Sequence, residues 1–298
     1  MHVVALVNPE SWYARDLSRA ATARGHTLAA MPFAGLTAHV QTGRAGIWGQ
    51  PDAPDESTEL EADAIIVRTM PPGSLEQVVF RMNLLGLLEA KGVPVLNSAR
   101  AVECAVDKYL TTARLTAAGL PVPETCVCET EDAALDAFAK LGGDVVVKPI
   151  FGAEGRGILR VSDPDLAQRV FRTLQRLDAV LYLQKFVPHA GFDVRVMVLD
   201  GRVLAGMRRV SETDFRTNVA RDARAEPIQL TAQQEEWAIR AAAAVGCRLA
   251  GVDLLYGRDG EGYVIEVNGV PGWRALRRVS DCDVALEVIC SLEKPRNG

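Results

Sequence analysis

The sequence predicts a protein of mixed α/β and α+β class, and three observations lead to this fold class. Residues 1–97 alternate short apolar runs with stretches of helical periodicity, which is typical of a small, mostly parallel α/β unit. In the remaining chain, strands and helices follow one another without this alternation, as in α+β proteins. The 298 residues, of which 48% are hydrophobic and 24% charged, suffice for the cores of two or three domains.

The N-terminal region begins with a buried strand and a helix that ends at Gly25. Its predicted strands are residues 3–7, 26–33, 64–68 and 93–96, and its predicted helices are residues 11–24 and 74–91. The stretch 35–59 is rich in Gly, Pro and Asp, which favours a long loop. The first strand runs into Asn8-Pro9-Glu10 and not into a G-x-G-x-x-G turn, so a dinucleotide site is not expected there.

The later elements follow from periodicity and from the glycine and proline residues that stop them. The predicted helices are residues 99–106, 107–118, 164–177 and 232–245, with a last helix from residue 283. The predicted strands are residues 125–128, 145–149, 158–161, 181–187, 194–199 and 202–209. Residues 251–269 contain two apolar runs around Asp259-Gly260, which predicts a hairpin with a two-residue turn.

This hairpin predicts a metal site. Counting outward from a two-residue turn gives the facing pairs Tyr256–Tyr263, Leu254–Ile265 and Asp253–Glu266. Like charges directly opposite each other are destabilising, and Asn268 projects from the same face as Glu266 because it lies two residues further along the strand. Two carboxylates and an amide oxygen on one face suit a hard divalent cation such as Mg²⁺. A solvated acidic face is the alternative.

A glycine-rich segment links two predicted strands. Gly152, Gly155 and Gly157 allow the positive φ angles and the close backbone approach that a phosphate-binding loop requires. Because the segment joins two strands and Lys148 precedes it, the pattern predicts a hairpin flap and not a P-loop, with an ordinary turn as the alternative. Lys108 lies in the first turn of a predicted helix, where its charge opposes the helix dipole unless a phosphate binds nearby. A solvated surface lysine is the alternative for that residue.

Charge, cysteine spacing and hydropathy restrict the class of protein. The net charge of −5 gives no general basic footprint for nucleic acid. Cys126 and Cys128 form an isolated C-x-C pair, for which reduced thiols are a better explanation than a metal site. The N-terminal residues lack a basic region and a long apolar stretch, and no apolar run approaches the roughly 20 residues of a membrane span. We therefore expect a cytoplasmic protein without a nucleic-acid or membrane partner.

Several short motifs follow one another along the chain: Asp107-Lys108, Val147-Lys148-Pro149, the glycine-rich flap, Gln184-Lys185-Phe186-Val187, Asp193-x-Arg195, Asn218, Asp253 and Glu266-Val267-Asn268. With these motifs the sequence resembles, from about residue 65 to residue 275, the ATP-grasp carboxylate–amine ligases, and specifically the RimK-type ligases that add glutamate to a carboxylate. The resemblance implies an ATP-grasp fold in three parts. These are an N-terminal Rossmann-like pre-ATP-grasp domain (1–97), a central lid (98–187) and a C-terminal α+β domain with the metal site (188–298).

The resemblance also implies where ATP and the metal bind. ATP would lie between the lid and the C-terminal domain. Its candidate binding residues are Lys108, Lys148, Gly152, Gly155, Gly157, Gln184, Lys185, Phe186, Asp193, Arg216, Thr217 and Asn218. Asp253, Glu266 and Asn268 would hold Mg²⁺ (or Mn²⁺) against the β- and γ-phosphates. Arg195 and Arg208 are candidates for stabilising the transferred phosphoryl group and the tetrahedral oxyanion, with structural ion pairs as the alternative.

The implied reaction forms an amide bond. The γ-phosphoryl group passes to a substrate carboxylate, the amine of an incoming amino acid, L-glutamate, attacks the acyl phosphate, and phosphate leaves. The partners are therefore ATP, an amino acid and a small anionic carboxylate acceptor, and the chain could form a homo-oligomer. After Asn218 relatives usually continue with Gly-Gly, whereas this chain has Ala220-Arg221-Asp222-Ala223. An ATP-binding regulatory or scaffold protein without turnover therefore stays as the alternative.

The identity of the acceptor is open from the sequence. The segment Arg68-Thr-Met-Pro-Pro-Gly resembles a RimK-like subgroup associated with glutamylation of pterin or deazaflavin cofactors, so a tetrahydromethanopterin-type acceptor is one hypothesis. A peptide or ribosomal-protein C-terminus and an amino-acid biosynthetic intermediate are the others. Arg68 ends a predicted strand, where open α/β sheets bind ligands. With Arg81 and Arg274 it is a candidate for binding an anionic acceptor, and an ordinary surface arginine is the alternative for each.

Overall fold

The computed structural model describes residues 1–49, 59–152, 156–211 and 224–294. These residues form three larger sheets and one separate two-stranded hairpin. Within these ranges no helix is both long and apolar enough to cross a membrane.

The N-terminal sheet is parallel and follows the predicted alternation of strands and helices. The elements of this region are β1 (His2–Leu6), α1 (Trp12–Ala23), β2 (Thr27–Met31), β3 (Thr37–Gln41), β4 (Arg44–Trp48), β5 (Ala64–Val67), α2 (Leu75–Ala90) and β6 (Val95–Leu96). The parallel strands are ordered β2-β1-β5-β6. The central strands β1 and β5 are buried almost throughout, which explains why both appear in the sequence as continuous apolar runs.

The prediction of a loop over residues 35–59 is wrong for part of that stretch. Strands β3 and β4 pair antiparallel, from Thr37 opposite Trp48 to Gln41 opposite Arg44. Gly43, with a φ of +79°, permits the turn between them. The two strands are short and mostly exposed, so they show only weak alternation of apolar and polar residues. Residues 50–58 lie outside the described residues.

A second sheet, here called the lid sheet, is antiparallel. The elements of this region are α3 (Ala99–Val106), α4 (Lys108–Ala117), β7 (Thr125–Cys128), α5 (Glu131–Lys140), β8 (Val145–Lys148), β9 (Leu159–Val161), α6 (Pro164–Arg176) and β10 (Leu181–Lys185). The strands are ordered β7-β10-β8-β9. Helix α5 is absent from the sequence prediction, although Thr130 caps it and Phe138 packs against Phe171 of α6 at a centroid distance of 6.3 Å.

The third sheet, here called the C-terminal sheet, is also antiparallel. Its region contains β11 (His189–Leu199), β12 (Arg202–Val210), β13 (Arg224–Pro227), α7 (Ala232–Val245), β14 (Leu249–Gly257), β15 (Gly262–Asn268) and α8 (Val284–Leu292). The strands are ordered β13-β12-β11-β14-β15, and β13 was not predicted. One face packs on α7 through residues such as Val196 and Val252, whereas the other shares a core with α1 and α8 through Met197 and Leu199. The N-terminal and C-terminal regions are therefore joined by a common core.

The hairpin β14–β15 has the predicted central pair but a different register near its turn. Asp253 lies opposite Glu266, as predicted. The predicted pairs Leu254–Ile265 and Tyr256–Tyr263 are wrong, because the structure pairs Leu254–Val264 and Tyr256–Gly262. The turn contains three residues, since Gly257 N donates to Glu261 O at 2.8 Å and Gly260 adopts a φ of +87°. An irregularity between Asp253 and Leu254 then shifts the register back by one residue, so the two offsets cancel at the acidic pair.

Candidate functional site

A cleft lies between the lid sheet and the polar end of the C-terminal sheet, and helix α4 contributes to its wall. The residues predicted for nucleotide or metal binding that line it are Lys108, Lys148, Gly152, Gln184, Lys185, Phe186, Asp193, Asp253 and Glu266. The predicted residues that are described but lie outside the lining are Gly157, Arg195, Arg208 and Asn268. The antiparallel sheets thus bring most of the predicted nucleotide and metal residues into one place.

Lys148 is the cation at the end of β8, opposite Tyr182 on β10. Its Nζ donates to Oε1 of Gln184 at 2.7 Å and lies 5.9 Å from the centre of the Tyr182 ring. Burial lowers the pKa of Lys148 to about 8, and the attraction of Glu266 only partly opposes this effect. A phosphate next to Nζ would stabilise the charged form, which makes this lysine a suitable phosphate ligand.

Lys108 connects helix α4 to the start of the flap. It is the first residue of α4, and the side chain of the N-cap residue Asp107 accepts a hydrogen bond from Leu110 N at 2.9 Å. Lys108 Nζ donates to Gly152 O at 2.8 Å. Burial lowers the pKa of Lys108, while the carboxylates of Glu266 and Asp107 raise it. The helix begins one residue after the predicted start at residue 107, and Lys108 lies in its first turn as predicted, so its charge stands against the positive end of the helix dipole.

Gln184 belongs to a buried hydrogen-bond network that positions Lys148. Gln184 Nε2 donates to Thr125 Oγ1 at 3.0 Å and to Tyr182 OH at 3.2 Å, and the Tyr182 hydroxyl lies 2.8 Å from Thr112 Oγ1. Gln184 is 4% exposed and Tyr182 is 1% exposed. Sequence reasoning missed Thr112 and Tyr182. The available signal was that Tyr182 lies two residues before Gln184 and therefore on the same face of β10.

The segment after β10 was expected to offer backbone groups to adenine. The structure uses two of these groups elsewhere, because Lys185 N donates to Glu124 O at 2.8 Å and Phe186 N donates to Asp144 O at 3.0 Å. Val187, which also lines the cleft, has an N–H that makes no hydrogen bond with any other described residue. The available donor on this segment is therefore Val187 N and not the N–H groups of the two predicted residues.

A buried cluster of two arginines and two aspartates forms the floor of the cleft on the C-terminal sheet. Arg195 donates to Asp253 through Nε at 2.6 Å and through Nη2 at 2.7 Å. Arg209 donates through Nε to Asp193 Oδ1 at 2.7 Å, and its Nη2 lies 2.9 Å from Asp253 Oδ2. Burial opposes the ionisation of Asp253, but the nearby guanidinium groups of Arg195 and Arg209 outweigh it and lower the pKa of this carboxyl. The cluster therefore places two arginines and two aspartates, charges of opposite sign, in direct contact.

The sequence pointed to Arg208, whereas the structure brings Arg209 to the site. Arg209 lies opposite Asp193, and Arg208 lies opposite Val194 on the other face of the sheet. There the Arg208 guanidinium stacks on the Phe192 ring at 4.0 Å, with the Glu226 carboxylate 3.8 Å away. Adjacent residues of a strand point to opposite faces, so an error of one residue moves the side chain out of the site. The expected placement of Arg208 beside the reacting groups is therefore wrong.

Three oxygen-bearing side chains at the edge of this cluster are the candidate ligands of a magnesium ion. Asp253 and Glu266 are a directly opposed pair, and Asn268 follows on the face of Glu266. Asn268 Nδ2 donates to Gly251 O at 3.2 Å, which leaves its amide oxygen for another partner. No group of three or more His, Cys, Asp and Glu side chains with metal-binding geometry occurs in the described part of the chain. The candidate set therefore depends on the amide oxygen of Asn268 as its third ligand.

The flap joins β8 and β9, which pair antiparallel as expected for a hairpin. Gly152 has a φ of +147° and Gly157 a φ of +72°, values that disfavour side chains other than glycine. Gly155 of the flap and the predicted nucleotide contacts Arg216, Thr217 and Asn218 lie outside the described residues. The described part of the flap thus has the backbone conformation that its glycines predicted.

Comparison with known proteins identifies the class of this fold and site. Residues 105–292 match the family model described as the RimK-like ATP-grasp domain. A tetrahydromethanopterin:alpha-L-glutamate ligase of Methanosarcina acetivorans is 32% identical over 304 residues, which cover 92% of each protein. A probable alpha-L-glutamate ligase of Pasteurella multocida is 34% identical over 242 residues, which cover 80% of this chain and 76% of that protein. The chain belongs to the RimK-like ATP-grasp family, and these curated relatives are named as ligases.

Solved structures agree with this assignment. The RimK domain protein ATP-grasp of Sphaerobacter thermophilus superposes with a TM-score of 0.76 at 24% identity, covering 99% of this chain and 100% of that one. The ATP-grasp ligase PsnB, in complex with a phosphomimetic variant of its minimal precursor, Mg and ADP, gives a TM-score of 0.71 at 25% identity. That alignment covers 98% of this chain and 97% of PsnB. The predicted family, fold class and ligase function are confirmed, and binding of Mg and a nucleotide is found within the same fold.

Proposed function

We propose that this protein is an ATP-dependent ligase that joins L-glutamate to a carboxylate acceptor, with ATP bound between the lid sheet and the C-terminal sheet. The observation that carries the proposal is the convergence of two half-buried lysines on one carboxylate. Lys108, Lys148 and Glu266 line the same cleft, and the charge of Glu266 partly opposes the lowering of both lysine pKa values by burial. Cations for phosphate oxygens therefore lie close to a carboxylate for a metal. Phosphoryl transfer depends on this kind of positioning and charge neutralisation more than on a protein nucleophile.

The lysines and the flap account for phosphate binding. Lys148, fixed by Gln184, and Lys108, fixed by the Gly152 carbonyl, would exchange these neutral partners for phosphate oxygens. Gly152 and Gly157 let the flap backbone approach the phosphates closely. Gly155 and residues 216–218 keep the nucleotide-binding role that the family resemblance implies for them.

The metal ligands and the arginine cluster account for the reacting end of the site. Asp253, Glu266 and Asn268 would hold Mg²⁺ (or Mn²⁺), which would neutralise charge on the β- and γ-phosphates. Arg195 holds Asp253 in place and is 13% exposed in its side chain, so it retains a path to the transferred phosphoryl group. Arg209 is 2% exposed in its side chain and positions both aspartates, so its role in the proposal is structural.

The proposed reaction has two steps, and atoms and charges balance in each. An oxygen of the acceptor carboxylate bonds to the γ-phosphorus, the bond from that phosphorus to the β,γ-bridging oxygen breaks, and ADP leaves. The amino group of L-glutamate then bonds to the acyl carbon, the carbon–oxygen bond to phosphate breaks, and the nitrogen loses a proton. The products are an amide, ADP and inorganic phosphate. Lys108, Lys148 and Arg195 offset the negative charge that gathers in the first step.

A reduced pterin that carries a carboxylate is the acceptor class that we favour. The support is the similarity, across 92% of both chains, to a relative whose name specifies tetrahydromethanopterin and L-glutamate. The experiment is ADP and phosphate release with MgATP and L-glutamate across a panel of acceptors. The panel contains a reduced pterin, peptides with a free C-terminus and amino-acid biosynthetic intermediates.

ADP release that requires both L-glutamate and one acceptor, together with a glutamyl unit added to that acceptor by mass spectrometry, would establish the ligase and its substrate. A product on a peptide or a biosynthetic intermediate would keep the ligase and replace the pterin. MgATP binding without turnover on any member of the panel would favour the regulatory alternative, in which the site binds nucleotide but forms no bond.

A further inference from the structure

Arg68 is a buried arginine that directly follows β5 and does not line the cleft described above. Its guanidinium carbon lies 4.1 Å from the centre of the Trp273 ring and 4.8 Å from that of Tyr13, in the corner formed by these two rings, which are nearly perpendicular with centres 5.1 Å apart. The residue is 5% exposed. The sequence marked this position as a strand end, and the structure adds that two aromatic rings contact the charged group there.

Two of the three guanidinium nitrogens of Arg68 are left without a hydrogen bond. Nε and Nη1 are both buried and have no hydrogen-bond partner among the described residues. Burial lowers the pKa of Arg68 to about 10. Asp16, an acidic residue that contacts Trp273, accepts a hydrogen bond from Trp273 Nε1 at 3.0 Å and pairs with Arg19 at 2.9 Å. A buried charge with unpaired donors is destabilising, and contact with two aromatic rings offsets only part of that effect.

The chain connects Arg68 to the metal end of the ATP cleft through a short segment. Asn268 ends β15, and Trp273 follows five residues later. Within this segment, a Cβ on Gly272 would lie 2.8 Å from the Tyr13 hydroxyl. On the neighbouring strand β14, a Cβ on Gly251 would lie 2.9 Å from Pro271 and 3.7 Å from Arg195, so Gly251 is close to both residues. The segment 271–273 thus links the surroundings of Arg68 to those of Arg195, and we expect a ligand of Arg68 to lie near the reacting end of the cleft.

We propose that Arg68 binds a carboxylate of one of the two substrates that ATP serves to join. This inference rests on the proposed ligase function and adds a binding residue to it. A carboxylate fits because guanidinium presents a planar set of donors that matches two carboxylate oxygens, and because an anion compensates the buried positive charge. Contact with both aromatic rings restricts the guanidinium before the ligand arrives, which reduces the entropy lost on binding. The carboxylate belongs either to the amino acid or to the acceptor, and its reacting group lies towards Arg195.

The test compares the wild-type protein with Arg68→Met, and uses Arg278→Met, an exposed arginine five residues beyond Trp273, as the matched control. Steady-state kinetics are measured with each substrate varied in turn. We expect Arg68→Met to raise the KM of one substrate roughly 10- to 100-fold, the range for losing a charge-assisted hydrogen bond. The KM of MgATP should stay within about twofold, because Arg68 lies outside the nucleotide cleft. A raised KM for L-glutamate would show that Arg68 binds the carboxylate of the amino acid. A raised KM for the acceptor would show that it binds the carboxylate of the acceptor.

Thermal unfolding separates a binding role from a structural one. Methionine keeps the length and the ring contacts of Arg68 but removes a buried unpaired charge, so the substrate-free variant should unfold at the same or a higher temperature than wild type. L-glutamate or the acceptor should raise the unfolding temperature of the wild-type and Arg278→Met proteins and not that of Arg68→Met. This readout does not require turnover, so it tests Arg68 even if the ligase function fails.

Unchanged KM values for both substrates, with ligand-induced stabilisation equal to that of wild type, would overturn the proposal. So would a large fall in unfolding temperature for Arg68→Met with unchanged substrate binding, since that result assigns Arg68 to the core alone. Arg68→Lys completes the set: it keeps the charge and loses the planar donors, so its KM should lie between those of wild type and Arg68→Met.

Discussion

Arg195 holds the carboxylate of Asp253 by two hydrogen bonds, of 2.6 Å from Nε to Oδ1 and 2.7 Å from Nη2 to Oδ2. The residue proposed to bind the metal is thus fixed by the residue proposed to contact the transferred phosphoryl group. Since both oxygens of Asp253 already accept charged hydrogen bonds, a metal bound there would share this carboxylate with Arg195 and Arg209. Substitution of either Arg195 or Asp253 should therefore move the other side chain. The effects of the two single substitutions on activity should not add up in the double variant.

Glu266→Gln should abolish Mg²⁺-dependent turnover and leave the fold intact. The substitution removes a metal-binding charge from a half-buried residue and preserves its volume. The fall in kcat/KM should exceed about 100-fold, because even residues that only support metal ligands cost roughly 10- to 100-fold when changed. Glu261→Gln, an exposed change in the same hairpin, is the control and should leave kcat/KM near wild type. Normal activity of Glu266→Gln would remove Glu266 from the metal site.

Arg209→Met should destabilise the protein more than Arg195→Met. Arg209 is 2% exposed and pairs with both Asp193 and Asp253, so its removal leaves Asp193 without that ion pair and Asp253 with Arg195 alone. Breaking a buried ion pair from one side costs about 3–5 kcal/mol in the free energy of unfolding. Arg195→Met leaves Arg209 to compensate Asp253, so its main effect should fall on kcat.

Urea denaturation and steady-state kinetics of both variants measure the two effects. A smaller loss of unfolding free energy in Arg209→Met than in Arg195→Met would contradict the structural role assigned to Arg209.

The pKa of Lys148 predicts a pH dependence of ATP use. Burial lowers this pKa to about 8 from an ordinary value of 10.5, so Lys148 loses its charge in the free protein as the pH rises above about 8. The kcat/KM for ATP should fall on that alkaline side, because a neutral amine does not attract phosphate. Between about 8 and 10.5 the unfolded chain binds more protons than the folded one, so the free energy of unfolding should rise with pH in this window.

Lys148→Arg supplies the comparison, because arginine stays charged throughout this range. If the variant retains ATP binding, its alkaline fall should disappear or move up by more than about one pH unit. The same alkaline fall in both proteins would assign the titration to another group.

Gly152→Ala should weaken ATP use through the flap. The φ of +147° at Gly152 is nearly closed to alanine, and strain of this kind costs roughly 1–3 kcal/mol. Relaxation would move the Gly152 carbonyl, which holds Lys108 Nζ at 2.8 Å, so the KM of ATP should rise roughly tenfold. Gly201→Ala introduces a comparable strain, at a φ of +73° in the turn between β11 and β12, and should lower stability without changing this KM. Equal KM changes in both variants would show that the effect is not local to the flap.

Sequence and structure agree at the site where short-range rules decide the geometry. The start of α4 at Lys108 follows from the capping residue Asp107, and the flap conformation follows from glycine at positions 152 and 157. The prediction that Asp253 lies opposite Glu266 is also confirmed. The prediction assumed a two-residue turn and a regular ladder, whereas the structure has a three-residue turn and a register shift. These two differences change the pairing by one residue in opposite directions, so they cancel at this pair. Local sequence signals therefore located the site but did not determine the pairing register of every strand that forms it.

The parts that could not be predicted depend on long-range pairing. The register of β12 against β11 decides that Arg209 and not Arg208 meets Asp193, and no local pattern encodes that register. The environment of Arg68 likewise depends on Trp273, which lies 205 positions away in the chain but whose ring centre is 4.1 Å from the Arg68 guanidinium carbon. Helix α5 was missed because its alanine-rich face gives little contrast between buried and exposed positions.

The acyl phosphate is the central claim, and an oxygen-transfer measurement tests it most directly. The acceptor that supports turnover is prepared with ¹⁸O in its carboxylate and incubated with the protein, MgATP and L-glutamate. The account predicts that one ¹⁸O atom per turnover appears in the released phosphate, because the attacking carboxylate oxygen stays on phosphorus when the amide forms. Phosphate that carries no label while the glutamylated product accumulates would contradict phosphoryl transfer to the acceptor.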